Sequence, residues 1–346
     1  MAGGQERILR RRIKSIQSTK KITKAMELIA ASQIVKAQGR ITAARPYQKG
    51  MARIVLETAL GDPDAAGRLL GTPETLNNVA VLSVVSDRGL CGGYNTMVFR
   101  ATERLLAELG ASGTHWRLFT VGKKAQSYFR YRNQPVERSF TGMSERPTFA
   151  DARHVAAAVL TPFVDGEVDQ VVVISTRFIS AGTQKVEVRQ LLPLIDPRQG
   201  APGGGGDQAT GSGHAHGHGP DHSPGHGSSH SSGDGHGHDA AEGPQGYTEF
   251  EPDAAILLET LGPRAAETEI FGALLEAAAS EVTSRQRAMA AATDNAGELI
   301  KKYSRIMNRA RQDTITTEIM EIVGGAEALR AGAEDDEGGI VIETRV

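Results

Sequence analysis

Cysteine, aromatic residues and long apolar runs are scarce in this chain, and acid is scarce in its first fifty residues. Cys91 is the only cysteine among 346 residues. An intrachain disulfide and a thiol-rich zinc site are both excluded, and the composition suits a reducing compartment. Aromatic residues make up 5% of the chain, which fits long helices packed with Ala, Leu, Ile and Met. No run of about 18 apolar residues occurs, so no segment reads as a membrane span. The basic N-terminus lacks a following apolar core, and helical periodicity begins within the first ten residues. Neither a signal peptide nor a transit peptide is expected. Residues 1–50 hold only Glu6 and Glu27 against twelve Lys and Arg, a surplus of ten positive charges. The whole chain carries −2, so the compensating acid lies further on, including Glu334, Asp335, Asp336 and Glu337.

Periodicity is what the chain has in abundance. From Phe271 small and apolar positions recur with alternating steps of four and three. The series runs Phe271, Leu275, Ala278, Val282, Arg285, Met289, Ala292, Ala296, Leu299, Tyr303, Ile306, Ala310, and only Arg285 is charged. A 3.5-residue period keeps one narrow stripe facing a partner helix, so this is the seam of a coiled coil. Residues 265–330 read as one helix, on the order of 100 Å long at ~1.5 Å per residue. The same steps continue through Asp313, Thr317, Met320 and Gly324, where the stripe is no longer apolar. Something other than the first partner must hold the helix there. Residues 1–60 read as a second heptad helix, with Ile34, Ala37, Ile41, Ala44, Gln48, Met51 and Val55 in its seam. Pro46 should bend it or free a carbonyl. Two such helices at opposite ends of a chain pair antiparallel when a compact unit between them turns the chain back.

Residues 75–200 supply that unit. Apolar runs at 79–85, 116–121 and 168–176 alternate with helical stretches, and 184–194 alternates like an edge strand. This predicts a largely parallel sheet covered on both faces. The fold class expected is α/β: a long antiparallel coiled coil of the terminal helices plus a Rossmann-like domain. Residues 201–245 are a Gly/His-rich insert, too polar to bury and expected to be disordered. Residues 246–264 should end the α/β domain. There 247–251 rejoins the sheet, and a short helix opened by Pro252-Asp253 breaks at Gly262-Pro263. Residues 331–346 form an acidic tail in which 340–342 is a candidate strand.

The chemical motifs are sparse. Gly89-x-x-Gly92-Gly93 follows a strand and precedes a helix, where phosphate loops occur. It matches neither G-x-G-x-x-G nor a P-loop. It reads as a tight turn whose glycines allow close packing, although a nucleotide-binding α/β protein with helical oligomerisation arms is an alternative. Cys91 has no histidine nearby in sequence and reads as a small buried residue. His115 and His154 are isolated, and no Ser-His-Asp or paired-carboxylate arrangement is present. Eight of the ten histidines lie in the insert, with His-x-His spacing at His214, His216 and His218 and again at His236 and His238. Such pairs chelate zinc, nickel or copper weakly, and a solvated spacer is the simpler reading. No metal site and no cofactor are otherwise indicated. The basic helix lacks interleaved stacking aromatics, so nucleic acid is not expected as a partner.

Three blocks carry a resemblance. They are Ser18-Thr19-Lys20-Lys21-Ile22-Thr23-Lys24-Ala25-Met26-Glu27, then Ser86-Asp87-Arg88-Gly89-Leu90-Cys91-Gly92-Gly93-Tyr94-Asn95, and a long third block from Asn308 to Ala326. In this order and spacing the chain resembles the γ subunit of F-type ATP synthases, over about residues 1–200 and 246–329. The insert and the tail depart from that family. The resemblance implies a non-catalytic rotor, one copy per complex. It would stand inside the ring of alternating α and β subunits and contact ε and the membrane c ring. It would lie peripherally on the cytoplasmic side of a bacterial plasma membrane. By matching position, Met26 and Arg285 look like coupling residues near β, and Gln312, Thr316, Glu318 and Glu321 look like contacts on the last turns.

Overall fold

The computed structural model describes residues 2–62, 69, 75–194, 251 and 253–336, with side chains from within 5–329. The histidine insert, residues 247–250 of the expected returning strand and the candidate strand at 340–342 lie outside the described residues. The order is α1 (Ala2–Gly61), β1 (Asn78–Val84), α2 (Tyr94–Ala111), β2 (His115–Val121), α3 (Lys123–Tyr131), β3 (Arg138–Phe140), α4 (Phe149–Val164), β4 (Gln170–Phe178), β5 (Gln184–Leu192) and α5 (Ala254–Asp336).

The five strands form one sheet in the order β3-β2-β1-β4-β5. Four are parallel, and β5 runs antiparallel to β4 at the edge. Alternate residues of β1 serve two cores, as a pleated strand buried on both faces requires. Val79 and Val81 pack with Val98, Phe99 and Leu106 of α2 and with Phe129 of α3. Ala80, Leu82 and Val84 pack with Val155 and Val159 of α4 and with Ile270 and Leu274 of α5. The long C-terminal helix is therefore part of the α/β core as well as of the coiled coil. Helix α4 opens with a reciprocal cap: Thr148 Oγ1 accepts from the Asp151 N–H, and the Asp151 carboxylate accepts from the Thr148 N–H.

The terminal helices pair antiparallel. Val55 packs in one cluster with Ala265, and Ile41 packs with Leu275 and Ala279. The Thr293 hydroxyl bonds that of Thr23 at 2.8 Å, and the Arg12 guanidinium lies 5.1 Å from the Tyr303 ring centre. Numbers rise along one helix as they fall along the other. Pro46 stays inside α1, where its missing N–H leaves the Thr42 carbonyl without its helical donor.

Two expectations are corrected. The break at Gly262-Pro263 is absent, because α5 is continuous through Pro263. Leu258 and Ala265, on either side of the proline, are both buried against Val55 and Ala59. Tertiary packing thus holds the backbone helical across the missing hydrogen bond. Two positions of the seam also shift by one residue towards its far end, while Ala296, Tyr303 and Ala310 stay buried or half-buried. Leu299 and Ile306 are both 43% exposed, whereas Ile300 and Met307 are half-buried. An α-helix drifts by ~20° per heptad against a 3.5 repeat. That drift turns positions 299 and 306 outward and brings 300 and 307 towards α1. A strict heptad count falls one residue short at those two positions.

Candidate functional site

Helix α5 passes through three environments. From Ala273 to Met289 it is buried nearly all round, with α1 on one side and the sheet on the other. From about 290 to 310 only the stripe towards α1 is covered. Beyond Ala310 the partner helix has run out, and every residue from Ile315 to Leu329 is exposed. That end still carries apolar side chains, among them Ile319, Met320 (70% exposed), Ile322 (72% exposed) and Val323. A contiguous apolar surface on a long solitary helix marks a binding surface.

Gln312, Thr316, Glu318 and Glu321 all lie on this uncovered end. The Thr316 hydroxyl donates to the Gln312 carbonyl at 2.9 Å, as a helical threonine does when nothing else competes. Met26 lies half-buried on α1, far along the coiled coil from that group, three residues from the Thr23 that meets Thr293. Beside it Lys20, Lys21 and Lys24 line an open basic groove with Leu28 and Ile300. Arg285 is in neither place. It is 8% exposed and bound within the chain.

The surroundings of Arg285 form the second feature. Its Nη2 lies 2.6 Å from Glu281 Oε1 and donates to the Gly89 carbonyl at 3.5 Å, and its Nη1 lies 3.8 Å from Glu145 Oε1. Glu145 also pairs with Arg88 at 3.2 Å. Glu281 is 1% exposed, and its second oxygen, Oε2, is buried without a hydrogen-bond partner. Burial pushes the Glu281 carboxyl above the usual range, against the opposing pull of the Arg285 charge.

The turn between β1 and α2 is built to meet this helix. Leu90 and Gly92 adopt positive φ, and the Cys91 side chain turns inward. Asn95 accepts from the Ser86 N–H at 3.0 Å and reaches Cys91 Sγ at 3.4 Å. Asp87 ties the turn to two further loops, accepting from the N–H groups of Lys123, Gly142 and Ser144 at 2.9–3.1 Å. Partial burial alone would raise its carboxyl. The three N–H donors outweigh that and hold it below the usual range. Tyr94 donates to the Ala277 carbonyl at 3.2 Å, and Ser280 of α5 donates to the Thr176 carbonyl on β4 at 3.3 Å.

Doubly wound sheets bind ligands beyond the C-terminal ends of adjacent strands whose connections diverge, here β1 and β4. In this chain α5 crosses that position, bonding the turn after β1 and the end of β4. An adjoining cleft of about 380 Å³ is lined by Gly92, Gly93, Met97 and Arg287 among others. Arg287 already donates to the Gly182 carbonyl and to Gln184 Oε1. Burial pushes the Cys91 thiol up, away from the reactive thiolate. The geometry is that of a joint. Sequence reasoning placed the turn but missed Glu281, Tyr94 and Asp87 as its fasteners. One signal was available: Glu281 and Arg285 stand four apart in an otherwise small and apolar stretch.

Among the described residues, no helix is long and apolar enough to cross a membrane, and no cluster of three or more His, Cys, Asp or Glu is arranged to hold a metal. The profile of the family described as ATP synthase matches residues 5–329. An "ATP synthase gamma chain" from Parafrankia sp. is 42% identical over 334 residues, covering 95% of this chain and 99% of its own length. The "ATP synthase gamma chain" of Acidothermus cellulolyticus is 42% identical over 334 residues, covering 95% of this chain and 98% of its own. Among solved structures, a chain of the Euglena gracilis mitochondrial ATP synthase (OSCP/F1/c-ring, rotational state 3) aligns with TM-score 0.59 at 17% identity, covering 99% of each chain. A chain of the Tetrahymena thermophila mitochondrial ATP synthase central stalk and c ring aligns with TM-score 0.53 at 21% identity, over 78% of this chain and 99% of the other.

Proposed function

The chain belongs to the γ-chain family of ATP synthases, and on that premise we propose that it works as the central-stalk rotor, a non-catalytic subunit present once per complex. Ion flow through the membrane turns the c ring. The α/β domain, seated with ε against that ring, turns with it. The paired helices carry the rotation into the ring of α and β subunits. There the asymmetric shaft drives each catalytic β subunit through its conformational cycle, and ATP hydrolysis drives the reverse. In domain terms, 1–60 and 254–330 are the shaft, while 75–194 is the foot. Residues 201–245 and 331–346 are additions to that plan. The complex sits with this subunit on the cytoplasmic face of a bacterial plasma membrane, in keeping with the bacterial origin of the gamma chains it resembles.

The observation that carries this reading is the uncovered end of α5. A helix continuing past its partner with apolar residues exposed needs a sleeve, and a sleeve that must let it turn cannot grip one face too tightly. Gln312, Thr316, Glu318 and Glu321 are the polar contacts of that end, and Met26, with the lysines beside it, faces β lower on the shaft.

Truncation after Arg311 tests the assignment. Residues 315–329 are all exposed, so the thermal midpoint of the isolated chain should hardly move. In complex reconstituted with α, β and ε, and in membranes with the c ring, ATP synthesis should fall severalfold. Unchanged synthesis would overturn the bearing role of this end. Failure of the full-length chain to assemble with α, β and ε would overturn the rotor reading.

A further inference from the structure

The α/β domain joins the shaft covalently only through 62–77 and 193–253, the two connections between the sheet and the terminal helices. If the domain receives torque and the shaft delivers it, the load passes largely through their packed interface. Most of that interface is apolar and small-residued on the α5 side: Ala266, Ile270, Ala273, Leu274 and Ala277 against the sheet and α4. Apolar burial resists separation, but it is non-directional and does little to prevent one surface sliding on another. Charge-assisted hydrogen bonds have a fixed direction and do oppose sliding.

Charged contacts cross the interface elsewhere, the exposed Arg287 donating to the Gly182 carbonyl and to Gln184 among them. Arg189–Glu269 at 3.0 Å and Arg153–Glu267 at 4.0 Å join the two parts, but all four of those side chains remain partly or largely solvated. Ion pairs of that kind add little rigidity. The Glu281–Arg285 pair differs in being buried and in reaching two parts of the domain. Arg285 contacts the turn at Gly89 and the loop at Glu145, and Glu145 returns to Arg88 on the turn. Asp87 then bonds the turn to residues 123, 142 and 144. One helical turn of α5 is thereby bonded to the C-terminal end of the sheet.

We infer that Glu281 is a positioning residue: it holds Arg285 across the joint so that the β1–α2 turn, and with it the α/β domain, rotates with the shaft rather than slipping on it. This rests on the rotor reading. Arg285 then acts inside the chain, and not as a surface contact to β.

The test uses the assembled ATP synthase in inverted membrane vesicles. Two readouts are taken together: ATP hydrolysis, which needs only the shaft inside its ring, and protons pumped per ATP, which needs torque to cross the joint. Glu281→Leu removes the acceptor at similar volume. Hydrolysis should stay near wild type while protons pumped per ATP fall about fivefold. Glu281→Gln keeps one acceptor oxygen for Arg285 and should lose about twofold. A Cβ at Gly92 would stand 3.6 Å from that of Ala288, within disulfide reach. In a Cys91→Ala background, Gly92→Cys with Ala288→Cys supplies a covalent joint. Oxidation should restore pumping in the Glu281→Leu enzyme, and reduction should abolish the rescue.

Pumping per ATP equal to wild type in Glu281→Leu overturns the inference. So does a parallel fall of hydrolysis and pumping, the mark of a merely structural residue, and so does failure of the oxidised pair to rescue. If Glu281→Leu does not assemble, Glu281→Gln decides by the same ratio. An assembled wild-type complex is the starting point, so failure to assemble counts against the rotor reading and failure of the ratio against the joint alone.

Discussion

Gly122→Ala should be among the most damaging single changes in the α/β domain. Gly122 caps α3 at φ 101°, ψ 137°. This is a region that side-chain-bearing residues avoid, at a cost of about 1–3 kcal/mol. A Cβ there would also stand 2.4 Å from the Val85 carbonyl oxygen and 2.8 Å from that of Ser86. Both obstacles are backbone, so no rotamer can relieve them. The β2–α3 turn would have to retreat from the end of β1. That stretches the bond from the Val85 N–H to the Val121 carbonyl (3.0 Å) and the one from the Lys124 N–H to Ser86 (3.2 Å). At about 1 kcal/mol for each weakened bond, the total comes to ~3–5 kcal/mol. Urea unfolding of the full chain, followed by circular dichroism, reads this as a lower midpoint at unchanged slope. Gly93→Ala is the control. Its φ is −79° and nothing lies within 4 Å of the added methyl, so its effect should stay below about 0.5 kcal/mol. A loss under ~1 kcal/mol for Gly122→Ala would refute the steric reasoning.

Two other outcomes follow from the same geometry. Asp87→Asn should cost about 2 kcal/mol at neutral pH, because an amide replaces a carboxylate that accepts from three N–H groups. The carboxyl is depressed in the folded state. Its contribution is full above the unfolded value and is lost as pH falls through the folded one, so unfolding measured down through pH ~4 should show the two proteins converging. A gap independent of pH would exclude the charge as its source. Ile41→Ala should lower stability by about 2–4 kcal/mol. Ile41 is buried where α1, α5 and Phe178 at the end of β4 meet, and calorimetry showing no drop in midpoint would place it outside the core.

The alternating strands and the terminal heptads were legible because each has a strong period, two for a pleated strand and three to four for a helix packed on one side. The stretches expected at 79–85, 116–121, 168–176 and 184–194 differ from β1, β2, β4 and β5 by two residues or fewer at each end. What periodicity conceals is a change of surroundings along one element. Between Ala273 and Met289, α5 is buried nearly all round. A heptad reading still extracts a single stripe there, and it assigned Arg285 to that stripe as its one charged member. The side chain instead bonds the turn, because the sheet covers the side of the helix where a coiled coil would have solvent. Pro263 misled for a related reason. A proline signals a helix break only when nothing else holds the backbone, and Val55 and Ala59, some two hundred residues away in sequence, do hold it.

The far end of α5 poses the converse problem. Its loss of apolar seam at Asp313 coincides with the end of the partner helix, since Arg12 already faces Tyr303. A helix that merely ended its coiled coil there would turn polar on every face and fray. This one keeps Ile315, Ile319, Ile322 and Val323 exposed at i, i+4, i+7 and i+8, one apolar face, with Met320 flanking it. At about 100° per residue those four fall within about 100° of one another and Met320 about 60° beyond, and the rest of the perimeter holds Thr316, Thr317, Glu318, Glu321, Gly324 and Gly325. Nothing among the described residues covers that face. One apolar face on an otherwise small and polar helix makes the shaft asymmetric, so that a surrounding sleeve meets a different surface at each angle, and that is why the breakdown of the heptad is the feature of this sequence most closely tied to rotation.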